Sequence, residues 1–180
     1  MKKFRTVTID IDINKCKEVV WDMLFNRFGE TILYNTLIVD SIATNDLQGE
    51  VGAERKCDLD AKNSIVEKIV ARRERDGFDI DIIEGGMPMM DEMKANYDLI
   101  AITGNHTKVT LTMKFITKPA FLATLMKGKM AKMLNKMLVG LKFHLETDQS
   151  VTKGNINSIM KGFNNLKKGE GFQAKELAIA

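Results

Sequence analysis

The sequence predicts an α+β fold in which a curved antiparallel β-sheet of about six to seven strands wraps around a long C-terminal α-helix. Two observations predict it: strand-like and helix-like patterns are segregated along the chain, and one long amphipathic pattern follows the last strand. A helix laid across a curved sheet buries the apolar faces of both and leaves space between them. The 180 residues suffice for one domain whose core needs neither disulfides nor a structural metal.

The first part of the chain predicts one strand followed by helical structure. Strict alternation of apolar and polar residues from Thr6 to Ile13 is typical of a half-buried strand. Asn14 can cap the next element, in which apolar residues recur at helical spacing until Gly29. A β-prone run at 34–42 follows and ends at a polar cluster.

After Gly49 the sequence predicts an antiparallel meander of short strands joined by turns. Asp76-Gly77 and Gly104-Asn105 supply turn signals between neighbouring strands. The predicted strands span residues 51–59, 64–75, 78–82, 93–101 and 109–115.

A long helix is predicted from Pro119 to Thr147, because proline suits a first turn and apolar residues then recur three or four positions apart. Its apolar stripe consists of Leu122, Met126, Met130, Met133, Met137, Leu141 and Leu145. Methionine is unbranched and polarizable, so a wall of it adapts to differently shaped contents. The stripe is therefore interpreted either as ordinary core packing or as the wall of a ligand cavity.

A second methionine cluster lies around a Gly-Pro loop and comprises Met87, Met89, Met90 and Met93. Loops at cavity mouths often carry function, so this cluster is interpreted as a lid. The alternative interpretation is that its side chains bury the loop against the sheet.

Composition favours a soluble globular protein, with 44% hydrophobic and 28% charged residues. No apolar run approaches the ~20 residues that span a bilayer, and the N-terminus lacks the continuous apolar segment of a secretory signal. We therefore expect a cytoplasmic protein without stable membrane insertion. Cys16 and Cys57 have no CxxC spacing and are expected to be free thiols.

The net charge of +3 is unevenly distributed, because the segment from Phe121 onward carries +6. Such a basic surface can attract nucleic acid or anionic lipid, but its lysines also suit the solvated side of an amphipathic helix. The segment contains no arginine and few aromatics, so we expect no nucleic-acid partner. A homodimer is left open.

The chain is expected to divide at residue 150. Residues 1–150 would form the folded, ligand-binding domain, and residues 151–180, which are polar and contain several glycines, would form a mobile tail with a short helix near 156–163.

Few residues offer recognisable catalytic chemistry. His106 and His144 are the only histidines, which leaves little material for a metal centre, and no metal or cofactor is expected. His106 follows a turn and should be solvated, whereas His144 lies on or beside the apolar stripe. HExxH, GxSxG and phosphate-loop patterns are absent, which argues against the corresponding hydrolase and nucleotide chemistries.

Five strand residues could place polar groups inside an apolar cavity: Arg55, Glu67, Arg72, Arg73 and Tyr97. Of these, Arg55, Glu67 and Tyr97 are the catalytic candidates. Strand parity puts Arg55 on the inward face, but apolar residues on both sides of Glu67 leave its direction open. Pointing inward, these groups could bind a ligand carboxylate or polarise an enolisable carbonyl. The alternative, which sequence favours, is an outward ion pair between neighbouring strands.

Several segments resemble the START-related (SRPBCC) superfamily, which has the helix-grip fold and includes polyketide cyclase/dehydrase-like proteins and lipid-transfer domains. The resemblance spans most of residues 4–147 and rests on TVTIDIDINKCKEVVWDML, GEVGAERKCDL, IVEKIVARRERDGFDIDIIEGG, HTKVTLTMKFITKP and LVGLKFHLET. It implies a hydrophobic cavity between the concave face of the sheet and the closing helix, which would hold a lipid, sterol or polyketide-like molecule. None of these segments is a catalytic motif, and the fold hosts both carriers and enzymes.

We therefore expect a non-catalytic protein that binds a small hydrophobic molecule, with a cyclase or dehydratase in the same cavity as the alternative. The residues expected to bind the ligand are Val7, Ile9, Phe78, Ile80, Met87, Met89, Tyr97, Leu99, Leu111, Met113, Met126, Met130, Met133, Met137 and Leu141. Trp21 is expected to pack in the core, although a place at the cavity mouth is an alternative.

Overall fold

A computed structural model describes residues 3–87, 89–167 and 169–172. The seven strands are β1 (Arg5–Ile13), β2 (Asp40–Ala43), β3 (Glu54–Asp58), β4 (Ser64–Arg73), β5 (Gly77–Gly85), β6 (Met90–Thr103) and β7 (His106–Thr117). The α-helices are α1 (Lys17–Trp21), α2 (Ala123–Thr147) and α3 (Ile156–Asn165). A π-helical turn, Asp22–Asn26, and a 3-10 helix, Phe28–Leu33, follow α1, and a 3-10 turn, Ala120–Leu122, precedes α2.

The strands form one antiparallel sheet in the order β1-β7-β6-β5-β4-β3-β2. The chain therefore returns after the meander to pair β7 with β1, from Arg5 opposite Phe115 to Ile13 opposite Thr107. Register shifts interrupt the pairing of β4 with β5 and of β6 with β7. Such bulges bend a strand and increase its twist, which gives the sheet its curvature. The predicted α+β fold, a curved antiparallel sheet around a long C-terminal helix, is confirmed.

Helix α2 crosses the concave face of the sheet, and the core lies between them. Buried residues of the helix recur at helical spacing through Met130, Leu134, Leu138 and Leu141. The α-helix starts at Ala123, after the 3-10 turn that follows Pro119, and ends at Thr147. The helix predicted from Pro119 to Thr147 is therefore confirmed, with a slightly shorter α-helical part.

Two local predictions near the N-terminus are wrong. Asn14 does not cap the first helix, because Cys16 occupies the N-cap position. The backbone amide of Asn14 instead donates a 2.7 Å hydrogen bond to Glu146 Oε1. The run 34–42 is a strand only from Asp40. Its first residue, Tyr34, instead ends the 3-10 helix and is buried, because the helix α2 packs on this turn.

The chain beyond residue 150 differs from the expected mobile tail as far as it is described. Helix α3 packs on α2 and buries Ile156 and Ile159, while Val151 and Phe172 are buried on either side of it. Both carboxylate oxygens of Glu146 hold this arrangement, since Oε2 accepts the Phe172 amide at 2.7 Å and Oε1 accepts from Lys142 at 2.7 Å. Residues 173–180 lie outside the described residues.

Candidate functional site

A cavity of about 70 Å³ lies between the concave face of the sheet and helix α2. Its wall is almost entirely apolar, with four polar residues. The lining residues are Asn35, Leu37, Ile38, Arg55, Leu59, Ile65, Glu67, Ile80, Ile82, Met87, Met93, Ala95, Tyr97, Leu111, Met113, Met130, Met133, Leu134 and Met137. A space of this size holds several waters or the equivalent volume of a small apolar group.

Eight of the residues expected to bind ligand line this cavity: Ile80, Met87, Tyr97, Leu111, Met113, Met130, Met133 and Met137. They come from β5, β6 and β7, from the loop between β5 and β6, and from the middle of α2. The three methionines of the helix lie on neighbouring turns, so one side of the cavity is a wall of flexible thioethers.

Five other expected residues do not line it: Val7, Ile9, Phe78, Leu99 and Leu141. β1 is an edge strand that packs against α2, so Val7 and Ile9 face filled core rather than space. Phe78 stacks on Tyr97 at a centroid distance of 5.0 Å and meets Trp21 edge-on, which confirms the core role of Trp21. Leu99 and Leu141 belong to the same packed region of the core.

The lining residues outside the set expected to bind ligand fall into two groups, apart from the ion pair described below. Leu59, Ile65, Ile82, Met93, Ala95 and Leu134 continue the inward faces of strands and helix that were already predicted, so periodicity could have found them. Asn35, Leu37 and Ile38 lie in the irregular segment before β2, where no period indicates which side chain turns inward.

Arg55 and Glu67 form a buried ion pair in the wall of the cavity. Arg55 Nε donates to Glu67 Oε2 at 2.6 Å, and only 6% and 12% of the two side chains are exposed. The two residues are cross-strand partners on β3 and β4, so both point inward and the alternative of an outward pair is wrong. Strand parity predicted the direction of Arg55 correctly, beside the buried residues Ala53 and Cys57.

The guanidinium of Arg55 is held on several sides. Nη1 donates to the backbone carbonyl of Phe28, and the ring of Phe28 covers the guanidinium carbon at 3.9 Å. Burial alone lowers the pKa of Arg55, but the facing Glu67 carboxylate offsets this and raises the pKa above its ordinary value. Arg55 therefore stays charged inside the protein, neutralised by Glu67.

The other titratable groups near the pair remain uncharged. Burial raises the pKa of the Tyr97 phenol well above its ordinary value, and it also raises the pKa of Tyr34. Burial raises the pKa of the Cys57 thiol to about 11, and its Sγ lies 3.6 Å from Glu67 Oε2. Cys16 and Cys57 are both free, as predicted.

A groove of about 270 Å³ opens at the surface beside this cavity. Met89 and Met126, which were expected to bind ligand, lie in this groove together with Met90, Asp60, Asn63 and Lys129. Five side chains belong to both linings and therefore separate the groove from the cavity: Leu37, Leu59, Met87, Met130 and Met133. Pro88, between the loop methionines, lies outside the described residues.

The histidines take no part in the cavity. His144 Nδ1 lies 2.9 Å from the carbonyl of Gln149, at the end of α2, and His106 begins β7 with Nε2 3.9 Å from Asp12. Among the described residues, no group of three or more histidine, cysteine, aspartate or glutamate side chains is arranged to hold a metal ion. No described helix has both the length and the apolar character needed to cross a bilayer.

Comparison with known proteins finds similarity of structure only. No protein-family profile and no curated protein matches the sequence. A solution structure of a protein from Thermobifida fusca is similar at 16% identity with a TM-score of 0.66, covering 78% of this chain and 92% of that one. A START superfamily protein from Mycobacterium smegmatis is similar at 9% identity with a TM-score of 0.65, covering 78% and 97%.

An enzyme also shares this architecture. Norcoclaurine synthase from Thalictrum flavum, in complex with dopamine and hydroxybenzaldehyde, is similar at 11% identity with a TM-score of 0.57, covering 78% of this chain and 86% of the synthase. Identities this low establish architecture and carry no activity from one protein to another. The sheet order, the closing helix and these similarities together show that the chain has the helix-grip fold of the START-related structures.

Proposed function

We propose that this protein binds a small, largely apolar molecule in the cavity between the sheet and helix α2. The observation that carries the proposal is the cavity itself, an unfilled space of about 70 Å³ with an apolar wall and one buried ion pair. Protein interiors are normally packed to the density of organic crystals and contain few voids larger than a water molecule. A space of this size between the sheet and the helix therefore favours a role in binding. Burial of apolar ligand surface would contribute ~25 cal/mol per Å².

The electrostatics of the wall favour a ligand that carries no net charge. Arg55 and Glu67 already neutralise each other, so a ligand carboxylate or ammonium would add an unpaired charge in a buried site. Arg55 is also engaged by Glu67, by the Phe28 carbonyl and by the Phe28 ring, which leaves little access for a carboxylate. This argues against the carboxylate-binding role that the sequence suggested for Arg55.

The volume sets a second condition. A lipid, sterol or polyketide is several times larger than about 70 Å³, so it would enter only if the wall moved. Met130, Met133 and Met87 separate the cavity from the outer groove, and their unbranched side chains can change rotamer at low cost. The two spaces would then join into one elongated site.

Native mass spectrometry of the protein purified from its own host tests the proposal, because a retained adduct gives the mass of the ligand. The Ala95→Leu variant, which fills the cavity, should lose the adduct. The matched control is Ala101→Leu on the same strand, where the side chain is exposed, and it should retain the adduct. An adduct that survives Ala95→Leu would place the ligand elsewhere.

A charge comparison tests the electrostatic argument. 1-Naphthol and 1-naphthoate share one ring system, but only the second is charged at neutral pH. We expect 1-naphthol to raise the melting temperature of the protein and 1-naphthoate to have less effect, since a ligand that binds the native state stabilises it. A larger shift with the carboxylate would contradict the role given to the ion pair.

Catalysis by a cyclase or dehydratase is the second candidate, and it is favoured by one observation. Glu67 and Tyr97 both line the cavity, so a carboxylate and a neutral phenol face the same space. The molecule found by mass spectrometry should then be converted on incubation, with Glu67→Gln and Tyr97→Phe each slowing conversion about 100-fold or more. Retention of an unchanged molecule would leave binding as the function.

A further inference from the structure

The most exposed large apolar side chains of the described residues are at the start of the closing helix. Phe121 is 81% exposed and Leu125 is 73% exposed, whereas apolar residues deeper in α2 are buried. They lie one helical turn apart and so share one face. Met89, which is 53% exposed, lies at the same end of the fold, because its carbonyl accepts the amide of Lys118, three residues before Phe121, at 3.0 Å. We call Met89, Phe121 and Leu125 the tip patch.

Exposed lysines follow the tip patch along α2. Lys129 and Lys132 lie four and seven residues after Leu125 and so share its side of the helix, whereas Lys127 lies on another side. Lys127, Lys129 and Lys132 are exposed, and no ion pair involving them is found in the described part of the chain. Between Lys118 and Leu145 the sequence contains no acidic residue. Two carboxylates at this end are already engaged: Asp91 pairs with Lys118 at 2.9 Å, and Asp60 accepts hydrogen bonds from Asn63 and from backbone amides.

This combination is unlike an ordinary amphipathic helix, in which the solvated face is polar throughout. Exposed bulky apolar side chains bordered by unpaired lysines are what an interfacial membrane site requires, since the apolar groups enter the acyl boundary and the lysines meet anionic headgroups. Each lysine near such a surface strengthens binding by about fivefold. A protein partner would need a large complementary apolar surface, but charge complementarity here points to an anionic lipid surface.

We propose that the tip patch and the lysines on its side of the helix, Lys129 and Lys132, dock this protein reversibly on anionic membranes. The groove opens at the same end, because Met89, Met126 and Lys129 line it. Docking would therefore bring the mouth of the groove against the bilayer, and an apolar ligand could pass between membrane and cavity without crossing water. The docking itself needs no cavity ligand, so its test is independent of the proposed function.

Sedimentation with vesicles tests the docking. One set of vesicles contains phosphatidylcholine alone, and the other contains one third phosphatidylserine. We expect binding to the anionic set to exceed binding to the neutral set at least tenfold, and to fall between about 0.05 M and about 0.5 M salt. Equal binding to both sets, or none to the anionic set, would overturn the proposal.

Matched variants separate the apolar and the charged contributions. Phe121→Ser with Leu125→Ser should lower the partition coefficient at least tenfold, whereas Ile100→Ser with Ile102→Ser, at the other end of β6 and 56% and 53% exposed, should leave it unchanged. Lys129→Gln with Lys132→Gln should lower it by about 25-fold, from about fivefold per lysine. Lys153→Gln with Lys161→Gln, also exposed, is the charge control.

Two outcomes would assign the patch to something else. If the tip-patch variant binds anionic vesicles as well as the unchanged protein does, the attraction is a general effect of positive charge and the docking surface is refuted. If the protein forms a dimer without vesicles in analytical ultracentrifugation, and the tip-patch variant is a monomer, a second copy covers the patch instead.

Discussion

Arg55 and Glu67 place two full charges inside an otherwise apolar wall, and the ion pair is the main electrostatic feature of the cavity. Each charge is tolerated only because the other is present, since an unpaired buried charge is strongly unfavourable. The neighbouring cross-strand pair on the same two strands, Glu54 and Lys68, faces solvent and offers a comparison.

Arg55→Met should lower the free energy of unfolding by about 3–5 kcal/mol, because it leaves the Glu67 carboxylate buried without a partner. Adding Glu67→Leu should recover much of this loss, since no charge then remains in the wall. Urea unfolding measures both. The control, Lys68→Met, removes a half-exposed pair and should cost less than about 1 kcal/mol. Equal losses for Arg55→Met and Lys68→Met would contradict the burial argument.

The raised pKa of the Cys57 thiol predicts that the protein loses stability at alkaline pH. Its folded-state pKa is raised to about 11 from 9.0, so the unfolded chain releases the thiol proton first as pH rises. The stability that the raised pKa of Cys57 contributes is fully present below pH 9. It is lost between pH 9 and 11, which lowers the free energy of unfolding by up to about 3 kcal/mol. Tyr34 and Tyr97, whose pKa values are also raised by burial, add to the loss above pH 10.

The measurement is urea unfolding at a series of pH values. Cys57→Ala has no thiol, so the decline between pH 9 and 10 should be shallower in this variant than in the unchanged protein. Parallel declines would show that other groups cause the effect.

How far sequence could predict these residues depended on local geometry. Arg55 follows strict alternation in β3, so its inward direction could be read from parity. Glu67 could not be assigned, because apolar residues flank it on both faces and a bulge lies between Val66 and Glu67. Its partner on β3 decides its direction, and that pairing is not visible in either strand alone.

Among the elements, α2 approaches the turn at Tyr34 with its backbone closely enough to require a glycine. A Cβ on Gly140 would overlap the carbonyl oxygen of Tyr34, so only glycine lets the helix approach this turn. Gly128, on the same helix, has nothing within 4 Å of the corresponding position. The two glycines therefore have opposite roles in one element.

Gly140→Ala should destabilise the protein by about 1–3 kcal/mol, because the added methyl group forces α2 away from Tyr34. Gly128→Ala should stabilise it by about 0.5–1 kcal/mol, because alanine has the higher helix propensity. Thermal or urea unfolding of the pair gives both signs. The same sign for both variants would contradict the close approach at Gly140.

Apolar periodicity predicts some elements of this fold from sequence and not others. The strands of the meander and the course of α2 were predicted because their apolar spacing is regular over many residues. The segment that carries Asn35, Leu37 and Ile38 into the cavity has no such spacing, and its position is set by the packing of neighbouring elements. Contact between helix and turn at Gly140 is likewise tertiary and leaves no signature in sequence.

For the molecule as a whole, the described chain beyond residue 150 extends the core. Val151, Ile156, Ile159 and Phe172 are buried, and Phe172 meets Phe143 at a ring distance of 5.2 Å. Sequence suggested a tail here because the apolar residues are few and are separated by polar residues and glycines. These side chains are buried because α3 packs on α2. Composition alone does not reveal such a tertiary contact.

A chain that ends after Ser150 should melt at least about 5 °C lower than the full chain. Each lost side chain contributes about 1.5–3 kcal/mol on burial, and the entropy of ordering the segment offsets only part of this. A chain that ends after Phe172 keeps all four side chains and is the control. If the shorter chain melts at the same temperature as the control, the folded unit ends at residue 150.

The pairing of β1 with β7 also determines when the molecule can fold during synthesis. Thr6 opposes Lys114, so β1 has no partner strand until more than a hundred further residues have left the ribosome. Long-range pairing of this kind slows folding, because the chain loses the entropy of closing a large loop before any stabilising contact forms. The nascent chain must therefore keep an alternating, β-prone strand unpaired while β2 to β7 are made, which leaves this strand open to aggregation until β7 has been synthesised.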